Sequence, residues 1–195
     1  MNPATMEALF TLLTSIHPLS EGLVNHLAKT LRTKSISKKQ YLLKAGHTSR
    51  QICFIEKGLL RCFYEQGETE VSSWFMKEGD VIVSVESFFK QKPSYESIQA
   101  LEETTVHYIN YDELQFIYKN FPEFNFVARV LAEHYYTLSE QRLYSIRMQR
   151  SQERYEHLLQ QFPELILRVP SKYIASYLGI SEETLSRIKS KKIIS

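Results

Sequence analysis

Glu183, Ser186 and Arg187, near the end of the chain, have side chains that could read the edges of base pairs. A guanidinium donates two hydrogen bonds to the major-groove edge of guanine, and a carboxylate accepts from the amino group of cytosine. Their spacing of three and four residues puts them on one face of a helix. Ser181, Glu182, Thr184, Lys189 and Lys172 complete the candidate DNA-binding set, and Ser176, Lys191 and Lys192 could join Thr184, Lys172 and Lys189 at phosphates. The charge distribution agrees. Residues 142–195 hold ten Lys/Arg against five Asp/Glu, whereas residues 1–141 hold fourteen against seventeen, so the overall charge of +2 conceals a basic end on an acidic body. Such an end points to an anionic partner for that segment alone.

Other chemistry has little to work with. Cys53 and Cys62 are too few for a disulfide framework, an iron–sulfur cluster or a four-thiolate metal site. None of His17, His26, His47, His107, His134 and His157 sits two to four residues from another, which argues against the paired histidines of zinc helices and metal-binding barrels. His134, alone on a helix seam, is read as a packing residue and not as a haem ligand. No catalytic residue, metal or cofactor is expected, and the chain is read as a non-enzyme. The 43% apolar content suits a packed core. No apolar run approaches the roughly 18 residues of a membrane span, and Met1 to Leu13 lacks the marks of a secretory signal. The expected compartment is the cytoplasm.

The elements that must position these groups are legible in the texture of the chain. Two short helices are expected over 4–14 and 20–30, the second capped by Ser20. From Thr33 to Ile109 short aromatic and β-branched runs alternate with turns at Gly46, Gly58, Gly67, Gly79 and Pro93, as in a sandwich or barrel. Lys57-Gly58 reads as a two-residue hairpin loop. That register sets Cys53 opposite Cys62 and Ile55 opposite Leu60, with all four facing inward and the thiols within disulfide reach. The expected state of both is a reduced core thiol. Beyond Tyr111 the period becomes helical. A helix over roughly 111–119 ends at Asn120-Phe121-Pro122, and a longer one runs from about 122 to 146. On it Phe124, Val127, Leu131, His134 and Leu138 form a narrow seam, read as a dimer interface through Val127, Leu131, His134 and Leu138.

After a polar hinge at 147–151 and a helix over 151–161 comes the segment that carries Arg187. Pro170 and Ser171 open a helix, Ala175 is small enough for a close helix crossing, and Gly179 can turn the chain through the left-handed conformation. Ser181 caps a second helix whose positive start suits Glu182 and Glu183. Ile174, Leu178, Ile180, Leu185 and Ile188 supply one shared core. The pattern is that of a helix-turn-helix, whose second helix enters the major groove.

With Ile52 to Gly58, Lys77-Glu78-Gly79-Asp80 and the Ile174 to Ile188 segment in this order, the chain resembles the Crp/Fnr family of bacterial transcription regulators. The resemblance spans about residues 10–190. It implies an α+β fold: an N-terminal double-stranded β-helix barrel of the cyclic-nucleotide-binding type, a long dimerisation helix, and a small all-α helix-turn-helix domain. The expected division is 1–146 for the sensor, including the dimerisation helix at about 122–146, and 147–195 for the DNA-binding domain. Glu183, Ser186 and Arg187 match the Glu-x-x-Ser-Arg pattern of the Fnr-like branch. A full β-hairpin wing is not expected after the second helix.

The resemblance also fixes where an effector would sit. In alignment with cyclic-nucleotide binders, Glu86 and Ser97 find counterparts, but the phosphate-binding arginine position falls on Glu96, and a carboxylate there repels a phosphate. Glu86, Ser87, Phe88, Glu96 and Ser97 are the candidate effector-pocket residues, for a ligand other than cAMP or cGMP in the ordinary mode. Trp74, Phe75, Phe89 and Tyr95 are either further pocket lining or core. Expected partners are double-stranded DNA, a second copy of the chain, an unidentified small-molecule effector and RNA polymerase, with no membrane. Two alternatives stand beside this reading. One is a cyclic-nucleotide-responsive regulator. The other is a small-molecule-binding β-barrel of the metal-dependent enzyme type with an inert helical domain.

Overall fold

The computed structural model describes residues 6–193. Contacts divide it into two compact units: Met1–Cys62 with Phe75–Glu133, and Phe63–Trp74 with His134–Ser195. The chain opens with α1 (Glu7–Ile16) and α2 (Glu21–Thr30), and the Ser20 hydroxyl caps α2 by accepting from the Leu23 amide at 3.2 Å. Eight strands follow: β1 (Arg32–Ile36), β2 (Tyr41–Leu43), β3 (Gln51–Lys57), β4 (Leu60–Gln66), β5 (Thr69–Met76), β6 (Val81–Ile82), β7 (Glu96–Ala100) and β8 (Thr104–Asn110). A short helix, α3 (Val85–Lys90), lies between β6 and β7. The strands form two four-stranded sheets, ordered β1-β8-β3-β6 and β2-β7-β4-β5, so the expected barrel is a jelly roll of two sheets and is not closed.

The first sheet is buried on both faces at β3. Successive side chains of a strand point to opposite faces, yet Cys53, Phe54 and Ile55 are all buried. Phe54 joins a core with Leu9, Leu13, Leu23, Leu27, Ile109, Leu114 and Ile117, built from α1, α2, β8 and α4 (Tyr111–Asn120). Cys53 and Ile55 face the other way. Each large apolar side chain enclosed in this manner contributes about 1.5–3 kcal/mol.

The two-residue hairpin expected at Lys57-Gly58 does not exist. β3 pairs with β8 and β6, and β4 belongs to the other sheet. Cys53 therefore stands opposite Tyr108 and Ile82, and not opposite Cys62. Gly58 is a corner at which the chain changes sheets. It has φ +105°, and a Cβ there would lie 2.4 Å from Thr104 Oγ1 and 2.6 Å from Thr104 Cα. Its amide donates to Glu78 Oε1 at 2.8 Å, which secures the corner from outside the hairpin register. The inward placement of Cys53, Ile55, Leu60 and Cys62 does hold, since all four are buried. Both thiols are free. Burial pushes the Cys53 thiol up to about 12 and holds Cys62 well above its ordinary value, so both are protonated and poor nucleophiles.

After α4 the chain breaks at Phe121 and restarts at Pro122, the first residue of α5 (Pro122–Met148). Proline suits that position because its missing N–H would have had no partner in a first turn. The seam expected on α5 faces inward at its start. Phe124 and Val127 belong to the first unit's own core, Val127 wholly enclosed, and Leu131 packs against the same core. Val127 is thus unavailable to a second chain, which corrects its assignment to a dimer interface. His134 is exposed, and Leu138 is partly covered within the second unit, beside Trp74. The 3–4 spacing reported an amphipathic helix correctly, but the surface that covers it here is its own chain.

The rest of the second unit is α6 (Ser151–Gln161), α7 (Leu165–Arg168), α8 (Ser171–Leu178) and α9 (Glu182–Ile193). Its core is Tyr155, Leu158, Leu165, Val169, Ile174, Ala175, Leu178 and Leu185, all buried.

Gly58→Ala tests the corner. The substitution meets both a left-handed φ and a backbone clash, so a loss of roughly 2–4 kcal/mol is expected by urea unfolding. An unchanged midpoint would contradict the close approach to Thr104.

Candidate functional site

The end of α8 and the start of α9 are fixed by local rules. Gly179 takes φ +64° in the left-handed region, and a Cβ there would meet nothing closer than Ile146 Cδ1 at 3.7 Å. Its glycine is demanded by conformation, not by space. Ile180 N donates to Ala175 O at 3.0 Å and Gly179 N to Ser176 O at 3.1 Å, the paired bonds of a Schellman motif. Ser181 then accepts from Thr184 N at 3.1 Å and caps α9. Leu185, Ile174, Ala175 and Leu178 close the helix pair as expected.

This packing leaves Glu182, Glu183, Ser186 and Arg187 exposed along α9. Arg187 Nε lies 4.0 Å from Glu183 Oε1, one helical turn away. Both side chains are well exposed, at 67% and 82%, so the pair is weak and the guanidinium is free to exchange that contact for another. Arg187 Nη2 also reaches Thr184 Oγ1 at 3.4 Å. Lys189 Nζ donates to Ser171 Oγ at 3.1 Å, and Lys172 Nζ lies 4.8 Å from the Tyr173 ring. Lys189 thus reaches from α9 to the first residue of α8, next in sequence to Lys172. Ser176 differs from expectation: its hydroxyl accepts from Ser72 N at 2.9 Å and donates to Glu70 O at 2.9 Å, so it is engaged by β5. The side chains of Lys191 and Lys192 lie outside the described residues.

In the jelly roll, the candidate effector residues serve mostly to hold the segment from Ser84 to Ser97 together. Ser87 Oγ accepts from Ser49 N at 2.8 Å and donates to Lys92 O at 2.5 Å. Ser97 Oγ accepts from Ala45 N at 3.0 Å. Phe88 is fully buried in the core and cannot touch a ligand, which removes it from the pocket. Glu86 pairs with Lys92 at 2.6 Å and Lys90 at 3.0 Å, and these hydrogen bonds hold its carboxyl down at about 2. Burial raises the Glu96 carboxyl, partly offset by a hydrogen bond from Ser84. Ser84 Oγ lies 3.0 Å from Ser94 Oγ, a buried hydroxyl pair that sequence reading did not single out. Small polar residues in a loop give no signal of burial until their partners are known.

A cavity of about 150 Å³ opens beside this segment, lined by Leu42, Leu43, Thr48, Ser49, Arg50, Gln51, Ile82, Val83 and Ile98. That is below the roughly 300 Å³ at which ordinary ligand pockets begin. None of the five candidate effector residues lines it. The aromatic set is dispersed as well: Phe75 is core, Phe89 and Tyr95 are exposed, and Trp74 lines a separate void in the second unit. Among the described residues no group of three His, Cys, Asp or Glu could hold a metal ion, and no helix is long and apolar enough to cross a membrane.

Residues 33–121 match the model of the cyclic nucleotide-binding domain family. The likeness to solved structures extends further along the chain. FixK2 from Bradyrhizobium japonicum superposes with a TM-score of 0.72 at 17% identity, covering 83% of this chain and 84% of that one. A CooA mutant from Carboxydothermus hydrogenoformans gives 0.67 at 21% identity, covering 89% and 85%. The c-di-GMP responsive global regulator CLP from Xanthomonas campestris gives 0.67 at 15% identity, covering 90% and 92%. The likeness to these solved structures is one of fold, and it extends through the jelly roll and beyond it. No curated protein sequence matches the chain.

The Glu86 cluster yields a pH prediction. A carboxyl held below its ordinary value of 4.5 adds stability that is present above that value and is lost as pH falls toward about 2. Carbon-detected NMR should place the Glu86 midpoint near 2, and Lys92→Met should move it upward. A midpoint in the ordinary range in the parent would contradict the pairing.

Proposed function

We propose that this chain is a sequence-specific DNA-binding transcription regulator that acts as a homodimer. The observation that carries the proposal is the exposed row Glu183, Ser186 and Arg187 on the second helix of a Schellman-turned, serine-capped helix pair. A helix presented in this manner fits the major groove, with Arg187 donating to guanine, Glu183 accepting from cytosine, and Lys172 and Lys189 at phosphates. Similarity in fold to regulators such as CLP supports the class. The proposed division of labour is sensing by residues 1–146 and DNA reading by 147–195, with RNA polymerase as the partner through which the dimer acts. No catalytic residue is assigned.

The dimer contact is proposed on the outward face of α5. Tyr136, Leu143 and Tyr144 are 46–68% exposed there, and large exposed apolar side chains on a long helix are suited to burial against a second copy. His134 remains on the exposed side. The effector is proposed to be a small molecule other than cAMP or cGMP in the ordinary mode. A carboxylate at Glu96 and a serine pair at Ser84 and Ser94 offer no cation to a cyclic phosphate.

Selection from a random duplex pool at fixed moderate salt tests this reading. The parent is expected to enrich an inverted repeat. Arg187→Ala should lose about 1–3 kcal/mol and relax preference at one position of each half-site. Enrichment of the same repeat to the same extent by both proteins would remove Arg187 from the bases. No enrichment by the parent, alone or with cell extract, would overturn the DNA-binding reading.

A further inference from the structure

A cleft in the second unit gathers hydrogen-bond donors without acceptors. It measures about 40 Å³, which is room for about three waters and far too little for a nucleotide. Helix α5 contributes Gln141 and Arg142 to its wall, and α6 contributes Arg154, His157 and Gln161. The α6 residues are spaced by three and four, so they form one stripe along that helix. A stripe turned toward a neighbouring helix is ordinarily apolar. Here its members are donors, and no Asp or Glu lines the cleft.

Most of those donors are unused. Arg142 donates through Nη2 to Tyr177 O, and its guanidinium stacks 3.6 Å from the centre of the Tyr177 ring. Stacking covers the face of a guanidinium and leaves its edge of N–H groups open. Arg154 donates through Nε to Leu178 O at 2.9 Å and through Nη1 to Gln149 O at 2.7 Å. Among the described residues Arg142 Nε and Nη1, Arg154 Nη2 and the side chains of Gln141, His157 and Gln161 make no hydrogen bond.

The charge is uncompensated as well. Both arginines are half-buried, and among the described residues neither is paired with a carboxylate. Burial lowers the Arg142 guanidinium from its ordinary value, Tyr177 offsets part of this, and the like charge of Arg154 lowers it further. An anion between two such cations would relieve their repulsion.

We propose that this cleft binds a tetrahedral oxyanion: phosphate, either free or as the phosphoryl group of a small ester. Arg142 and Arg154 supply the charge, and Gln141, His157 and Gln161 supply further donors around it. The edges of guanidinium groups match the oxygens of a phosphate. The site is separate from the DNA contacts proposed on α8 and α9, and it stands whether or not the DNA-binding reading does.

Trp74, the chain's single tryptophan, lines the cleft and reports on it. Its fluorescence in the full-length protein is titrated with inorganic phosphate and with glycerol phosphate, at ionic strength held constant with chloride. A saturable change is expected in the parent. Gln161→Glu places a carboxylate in the cleft without removing a hydrogen bond, and should weaken binding about tenfold or more. It should unfold no earlier than the parent, since its carboxylate takes the anion's place beside the arginines, so lost binding is not lost folding. Gln160→Glu makes the same charge change one residue away and outside the cleft, and should bind within about twofold of the parent. Tighter binding of the ester would assign the site to a phosphoryl group, and equal or tighter binding of inorganic phosphate to the free ion. No saturation by about 10 mM of either ligand would overturn the site. Equal weakening by the two substitutions would also overturn it, because the anion would then be drawn only by overall charge.

Discussion

The need to satisfy buried polar backbone groups shapes this structure most where α8 ends. A helix of eight residues cannot hide its terminal carbonyls, and the turn that follows it must be tight enough to bring α9 across. The left-handed Gly179 makes the turn and closes two carbonyls by itself. The remaining two, together with the open edge of β5, call for partners from elsewhere in the chain. Arg142, Arg154 and Ser176 supply them. The exposed face of α9 follows from this arrangement, because Leu185 and the buried face of α8 consume the apolar side of the pair and leave Glu183, Ser186 and Arg187 outside.

The helix-turn-helix was legible in the sequence because its determinants are local. Glycine at a left-handed position, serine at an N-cap and apolar residues at helical spacing act within a dozen residues of one another. The Gly58 corner was not. A glycine between two apolar strands specifies a sharp turn, and a hairpin and a change of sheet look alike at that range. The choice is made by Thr104 and Glu78, which press on Gly58 from distant parts of the sequence. The same holds for α5: its stripe announces an amphipathic helix, but what covers Val127 depends on where α1, α2 and α4 pack. Ser176 was read as a phosphate contact because a hydroxyl on such a helix is usually exposed, while its bond to Ser72 spans 104 residues of sequence.

The jelly roll shows the limit of alignment as a guide to a pocket. Glu86 and Ser97 can be matched to ligand-binding positions, yet here they are occupied with Lys90, Lys92 and the Ala45 amide. The interior at this point is a knit of serine hydroxyls, with Ser84 on Ser94 and Ser87 on Ser49. The fold matches that of a nucleotide-binding domain, while Glu86 is paired with Lys90 and Lys92 and Glu96 stands as a half-buried carboxyl. Fold and ligand are set by different residues.

The most direct test of the central claim is a hydroxyl-radical footprint of the full-length protein on a duplex recovered by selection. A homodimer that presents two copies of α9 to successive major grooves protects two symmetric patches on one face of the DNA, about 34 Å apart. That pattern is the predicted result. A single unsymmetric patch would contradict the dimer, and uniform weak protection that vanishes with added salt would contradict sequence-specific reading by Arg187.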